Sequence, residues 1–181
     1  MRTIFLDRDG VINTDFGYVN KWSDFKLIKG TLEALQLLTK HNFNIIILTN
    51  QAGIAKGFYT ENDFKKLTNK FHIFCMQNDI KILDTLFCPH HKDGIVKEYA
   101  KDCDNRKPKS GMFFRASALH KVELTKAIMV GDNITDIIGS TNAGINNNFI
   151  VNSDYKNFKF NNKINFKIKE NLFEVVKEIL N

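Results

Sequence analysis

Short, continuous apolar runs separated by amphipathic stretches set the pattern of this chain. Thr3-Ile4-Phe5-Leu6, Ile45-Ile46-Ile47-Leu48 and Ala127-Ile128-Met129-Val130 are too short for buried helices and read as buried strands. Strands are predicted over residues 2–6, 44–48, 82–87, 126–130 and 148–151. Between them the apolar period changes. Over 30–41, Leu32, Leu35 and Leu38 recur every three residues and mark one helix face. Thr60 followed by Asp63 resembles a capping box and opens a helix predicted to run to about Asn78. Further helices are predicted over 111–120, over 135–143 with Gly144 as the stop, and over 171–180. This alternation predicts an α/β fold built on a parallel sheet. Residues 152–169 are rich in Asn and Lys and read as loop, with one edge strand at 164–168.

Polar residues cluster where these elements end. Asp7 and Asp9 stand two residues apart directly behind the first strand. Two carboxylates that close repel unless a cation lies between them or one is protonated. An isolated D-x-D-G reads equally well as a strand-ending turn, but three other segments favour chemistry. The second strand ends in Thr49-Asn50, a hydroxyl and a backbone N–H suited to a phosphate oxygen. Arg106-Lys107-Pro108 places two cations before a predicted helix, and the strand at 126–130 ends in Gly131-Asp132-Asn133-Ile134-Thr135-Asp136.

Taken together, these four pieces resemble the haloacid dehalogenase superfamily of phosphotransferases. The resemblance is closer still to the D-glycero-D-manno-heptose 1,7-bisphosphate 7-phosphatases and the related histidinol-phosphate phosphatases. FLDRDGVIN at 5–13, GYVN at 17–20, TNQAGIAKG at 49–57, CPHH at 88–91, CDNRKP at 103–108 and MVGD at 129–132 carry it, in the family's order. It implies a Rossmann-like parallel sheet with helices on both faces, the first strand central and no large cap domain.

The same resemblance assigns roles. Asp7 becomes the nucleophile that takes the phosphoryl group, and Asp9 the acid that protonates the leaving alkoxide and the base that activates water. Mg²⁺ is implied, with Asp7, the Asp9 carbonyl and Asp132 as ligands; hard carboxylate and carbonyl oxygens suit it. Asp136 is expected to support or cap rather than to ligate. Thr49, the Asn50 N–H and Lys107 would hold the phosphoryl oxygens, and Arg106 a second phosphate or the sugar. Asp15, Gly17, Tyr18 and Gln51 match positions that line the substrate. The implied reaction is removal of the 7-phosphate of a heptose 1,7-bisphosphate on the way to surface polysaccharide, by way of an aspartyl-phosphate. Histidinol phosphate is the alternative substrate. A non-catalytic metal-loop binding module and a nucleic-acid 3′-phosphatase are the competing classes.

Two positions depart from the family. Cys88, His90 and Cys103 offer three zinc ligands in one loop, 88–110, which the family completes two residues after the second cysteine. Asn105 stands there, and an amide oxygen is a poor zinc ligand. The expectation is a structural Zn²⁺ of weakened affinity unless His91, Asp102, Asp104 or water fills the corner. Asn133 follows Asp132 where heptose phosphatases often carry a basic residue, which removes one phosphate contact.

Bulk properties narrow the rest. With 181 residues, 43% of them hydrophobic and 16 Phe, the chain can build the core of one domain over 1–181. The formal charge of +6 is spread over scattered lysines without an interleaved aromatic track, which argues against nucleic acid and fits an anionic sugar phosphate. No apolar run reaches the roughly 20 residues a membrane helix needs, and no signal-peptide pattern precedes Asp7. A cytoplasmic monomer is therefore expected. Cys75, Cys88 and Cys103 are an odd number of cysteines, which argues against a disulfide framework.

Overall fold

The computed structural model describes residues 2–151 and 164–181. Six parallel strands form one sheet in the order β3-β2-β1-β4-β5-β6. They are β1 (Thr3–Leu6), β2 (Asn44–Asn50), β3 (Ile82–Cys88), β4 (Ile128–Gly131), β5 (Asn147–Val151) and β6 (Lys167–Lys169). The helices are α1 (Thr31–Lys40), α2 (Ala52–Ala55), α3 (Glu61–Gln77), α4 (Gly111–His120), α5 (Ile134–Asn142) and α6 (Leu172–Leu180). β1 is central because it is buried along its whole length and pairs on both sides, Leu6 with Ile47 of β2 and with Val130 of β4.

Strand alternation sorts the apolar side chains into two cores. Ile4, Leu6, Ile45, Ile47 and Val130 meet Leu35 and Leu38 of α1, Leu67 and Phe71 of α3, and Val175 and Val176 of α6. Phe5, Ile46, Leu48 and Met129 face the other way, onto Met112, Phe113 and Ala116 of α4. Helices therefore cover both faces, as a parallel sheet requires. A smaller cluster joins Ile54, Tyr59 and Phe64 under the loop that follows β2.

Differences from the sequence reading have local causes. β2 runs on to Asn50 because its ladder with β3 continues through Thr49↔Phe87 and Asn50↔Cys88. The single turn α2 was not foreseen, since four residues are too few to show a period. β4 starts at Ile128 after a 3₁₀ turn at Leu124–Lys126 and ends at Gly131. The edge strand lies at Lys167–Lys169, paired with β5. Of the loop expected over 152–169, residues 152–163 lie outside the described residues. The capping box of α3 is present, with Thr60 Oγ1 accepting from the Asp63 N–H at 3.1 Å and Asp63 Oδ2 accepting from the Thr60 N–H at 2.9 Å. The carboxyl ends of β1, β2 and β4 meet at one edge of the sheet, and the site is built there.

Candidate active site

Asp7 continues β1, its N–H donating to Val130 O at 2.9 Å, so its carboxylate emerges beside the end of β4. Gly10 closes the turn at φ +86°, and a Cβ on it would clash with the Asp132 carboxylate. Only glycine satisfies both the backbone and the space. Asp7, Asp132 and Asp136 bring carboxylate oxygens within 4.8 Å of one another.

Among the described residues, Lys107 is the cation paired with this group. Lys107 is buried, with Nζ 3.1 Å from Asp7 Oδ1, 2.5 Å from Asp136 Oδ1 and donating to Leu48 O at 2.7 Å. Its backbone is pinned by Asn50, whose Oδ1 accepts from the Lys107 N–H at 3.1 Å and whose Nδ2 donates to the Lys107 carbonyl at 3.0 Å. Burial works against the ammonium charge, but Asp136 and Asp7 outweigh it and hold the lysine above its usual range. Asp136 has a second task. It accepts from the Asn133 N–H at 3.1 Å in a capping box whose other half is Asn133 Oδ1 accepting from the Thr135 N–H. The residue that departs from the family pattern at 133 is thus the N-cap of α5.

Three carboxylates against one lysine leave excess negative charge. Burial, reinforced by Asp136, pushes Asp132 up to about 7. Burial also raises Asp7, with Lys107 opposing and Asp136, Asp132 and Asp9 adding to the rise. Hard oxygen donors with unrelieved charge are what a divalent cation such as Mg²⁺ fits. A carboxyl whose folded pKa lies above its unfolded value stabilises the fold below the unfolded value and loses that contribution as pH rises through the folded one. For Asp132 this window runs from 3.8 to about 7. Mg²⁺ is therefore expected to raise Tm by a few degrees at about pH 8 and by much less at about pH 5. Equal shifts at both pH values in thermal unfolding would contradict this charge balance.

Asp9 turns to different partners. Arg8, buried between the two aspartates, forks onto its carboxylate with Nε at 3.1 Å and Nη2 at 2.8 Å from Oδ2. Gln51 Nε2 donates to the same oxygen at 3.1 Å, and Asn13 Nδ2 donates to Oδ1 at 2.9 Å.

A cavity of about 530 Å³ opens over this edge. Asp7, Asp9, Asp15, Gly17, Tyr18, Thr49, Asn50, Gln51, Arg106, Lys107 and Asp132 all line it. The structure thus brings together every residue that the sequence singled out for phosphate chemistry. Asp15, Gly17 and Tyr18 form an exposed rim, in which Asp15 Oδ1 accepts from the Gly17 N–H at 2.8 Å and the Tyr18 ring lies 4.5 Å from Phe58. Arg106 reaches the cavity from the 88–110 loop, its Nη1 donating to His90 O at 3.2 Å. In that loop Cys88, His90 and Cys103 place one ligand atom each within 4.8 Å, and burial pushes the Cys88 thiol up to about 12. Asn105 Oδ1 packs beside Gly111 at the start of α4.

Arg8 and Tyr59 were missed by the sequence reading. Arg8 carried a signal, since a charge at i+1 between two cavity-facing aspartates tends to face the core and so needs a partner. Tyr59 carried one too: it precedes the Thr60 cap and shares an apolar cluster with Phe64, the N′-to-N4 staple of a capped helix.

Clustered carboxylates and a buried lysine at the carboxyl edge of a parallel sheet are the arrangement of a haloacid dehalogenase-type phosphotransferase centre. Comparison with known proteins agrees. The model of the polynucleotide kinase 3 phosphatase family matches residues 4–173. D-glycero-β-D-manno-heptose-1,7-bisphosphate 7-phosphatase from Haemophilus influenzae is 41% identical over 150 residues, covering 83% of this chain and 81% of that one. The D-glycero-α-D-manno-heptose-1,7-bisphosphate 7-phosphatase of Photorhabdus laumondii is 39% identical over 155 residues, covering 86% and 85%. The crystal structure of D,D-heptose 1,7-bisphosphate phosphatase from B. bronchiseptica, complexed with magnesium and phosphate, superposes with a TM-score of 0.87. It is 26% identical and covers 99% of this chain and 98% of that one. The chain belongs to the polynucleotide kinase 3 phosphatase family of the haloacid dehalogenase superfamily, in the branch of the heptose bisphosphate phosphatases.

Proposed function

We propose that this protein is a Mg²⁺-dependent phosphatase that removes the 7-phosphate of a heptose 1,7-bisphosphate in the cytoplasm. The observation that carries the reading is the Asp7–Lys107–Asp132 centre in a chain 41% identical to a relative of that name. An Asp7 oxygen attacks phosphorus, the bond to the sugar oxygen breaks, and Asp9 gives that oxygen its proton. Asp9 then takes a proton from water, which attacks the aspartyl-phosphate and frees Asp7. Thr49, the Asn50 N–H and Lys107 hold the phosphoryl oxygens where charge builds up. Asp7, Asp132 and the Asp9 carbonyl would hold Mg²⁺, which offsets the repulsion between carboxylate and phosphate when bound.

Arg106, at the cavity wall, suits the second phosphate of a bisphosphate. The relatives are named for both anomers, so likeness alone does not choose between them. Among the described residues no helix is long and apolar enough to cross a membrane. In the 88–110 loop, Cys88, His90 and Cys103 would hold a zinc ion, with the fourth corner left to a weaker donor; metal analysis showing no zinc in protein purified without chelator would count against this. The substrate reading is tested by phosphate release with Mg²⁺ from both heptose bisphosphate anomers and from histidinol phosphate. One heptose anomer is expected to exceed histidinol phosphate by about tenfold or more in kcat/KM. The reverse order would overturn the substrate assignment.

A further inference from the structure

Asp9 is held by more donors than a group about to exchange a proton can keep. Oδ1 accepts from Arg8 Nη2 at 3.0 Å and Asn13 Nδ2 at 2.9 Å; Oδ2 accepts from Arg8 Nε, Arg8 Nη2 and Gln51 Nε2. A carboxylate offers about four lone-pair sites, so all are filled. To carry a proton, Asp9 must lose one of these donors. The Arg8 fork is bidentate, charged and buried, with Nη2 also donating to Val19 O at 2.8 Å. Gln51 is neutral and gives a single bond, so it is the donor that lets go while Asp9 holds a proton and closes again on the carboxylate as the proton passes to the leaving oxygen, which favours that transfer.

Gln51 is itself rigidly set. It is 2% exposed, its Oε1 accepts from Tyr59 OH at 2.5 Å and lies 3.4 Å from Arg8 Nη2, and its Nε2 is anchored on Thr49 Oγ1 at 2.8 Å. A flipped amide would aim its NH₂ at the Arg8 guanidinium and its oxygen at the Asp9 carboxylate. Charges on both sides therefore fix its orientation. With both amide protons taken by Asp9 and Thr49, Gln51 has none left for a ligand.

We infer that Gln51, oriented by Arg8 and Tyr59, is a positioning residue that sets the Asp9 carboxylate for proton transfer and does not bind substrate. This rests on the phosphatase reading above. It acts on the proton, so its loss must show where the leaving group needs one. A sugar alkoxide does; p-nitrophenolate leaves without one, so its first-turnover burst reports attack by Asp7 alone.

For Gln51→Met, turnover of heptose 1,7-bisphosphate is expected to fall about 10- to 100-fold with KM changed less than about threefold. The p-nitrophenolate burst rate should stay within about threefold of wild type while the later steady rate falls. Tyr59→Phe, which keeps the ring and removes only the hydroxyl, should show the same pattern at about 3- to 10-fold and decides the matter if Gln51→Met does not fold. A raised KM with unchanged kcat would make Gln51 a substrate contact and overturn the inference. Equal loss of burst and sugar phosphate turnover, or no loss at all, would also overturn it. If the wild type bursts with p-nitrophenyl phosphate but ignores heptose bisphosphate, only the substrate reading fails, and the same comparison is made with glycerol phosphate.

Discussion

Asp7→Asn is expected to lower phosphate release by at least about 10⁴-fold while leaving the fold intact. An amide cannot form the acyl-phosphate, and neither Asp9 nor Asp132 can take its place. Asp9 is tied into the Arg8, Asn13 and Gln51 contacts, and Asp132 lies against Gly10 on the side suited to the metal. Folding should not suffer, because Asp7 in the metal-free protein is a strained charge whose pKa burial raises despite Lys107. Asparagine removes that repulsion, so Tm without Mg²⁺ should hold or rise at about pH 8. Lost activity together with a lower Tm would mean that Asp7 serves the fold rather than the chemistry.

Lys107→Met has the larger cost to stability. The lysine is 2% exposed and is placed among Asp7, Asp136 and the Leu48 carbonyl. Without it two carboxylates stay at the inner end of the site with no cation between them. Removing one partner of a buried ionic group typically costs about 3–5 kcal/mol, because the other charge remains uncompensated. In a chain of this size that corresponds to a Tm drop of about 6–20 °C. The deficit should shrink at about pH 5.5, where protons can replace the missing charge, and with added Mg²⁺, which supplies it directly. Turnover should fall by about 10³-fold as well, since the phosphoryl oxygens lose their buried cation. Thermal unfolding with and without Mg²⁺ checks this; a Tm within about 2 °C of wild type would show that Lys107 is not the counter-ion of this centre.

How much of this was legible in the sequence depended on distance along the chain. The central strands were plain because a strand buried on both faces must be apolar throughout, as Ile45-Ile46-Ile47-Leu48 is. The D-x-D-G, Thr49-Asn50 and Gly131-Asp132 segments were plain because each lies immediately behind such a strand. Lys107 stood out as a candidate beside the neighbouring motifs, but its burial did not, since two adjacent cations before a helix look like a solvated surface pair. The Gln51 clasp was out of reach. Its meaning depends on Asp9, 42 residues away, and on Arg8, 43 away, which only the fold brings together. β6 was faint because a short Lys-Ile-Lys edge strand carries almost no apolar signal.

In the proposed reaction Asp7 receives the phosphoryl group from the oxygen on carbon 7 of a heptose 1,7-bisphosphate. Phosphorus NMR of the reaction with purified protein and Mg²⁺ tests it most directly, because the 1- and 7-phosphates give separate signals. The 7-phosphate signal should disappear as inorganic phosphate grows while the anomeric phosphate persists, and nothing should change with Asp7→Asn. Loss of the anomeric phosphate instead, or release that survives Asp7→Asn, would contradict it.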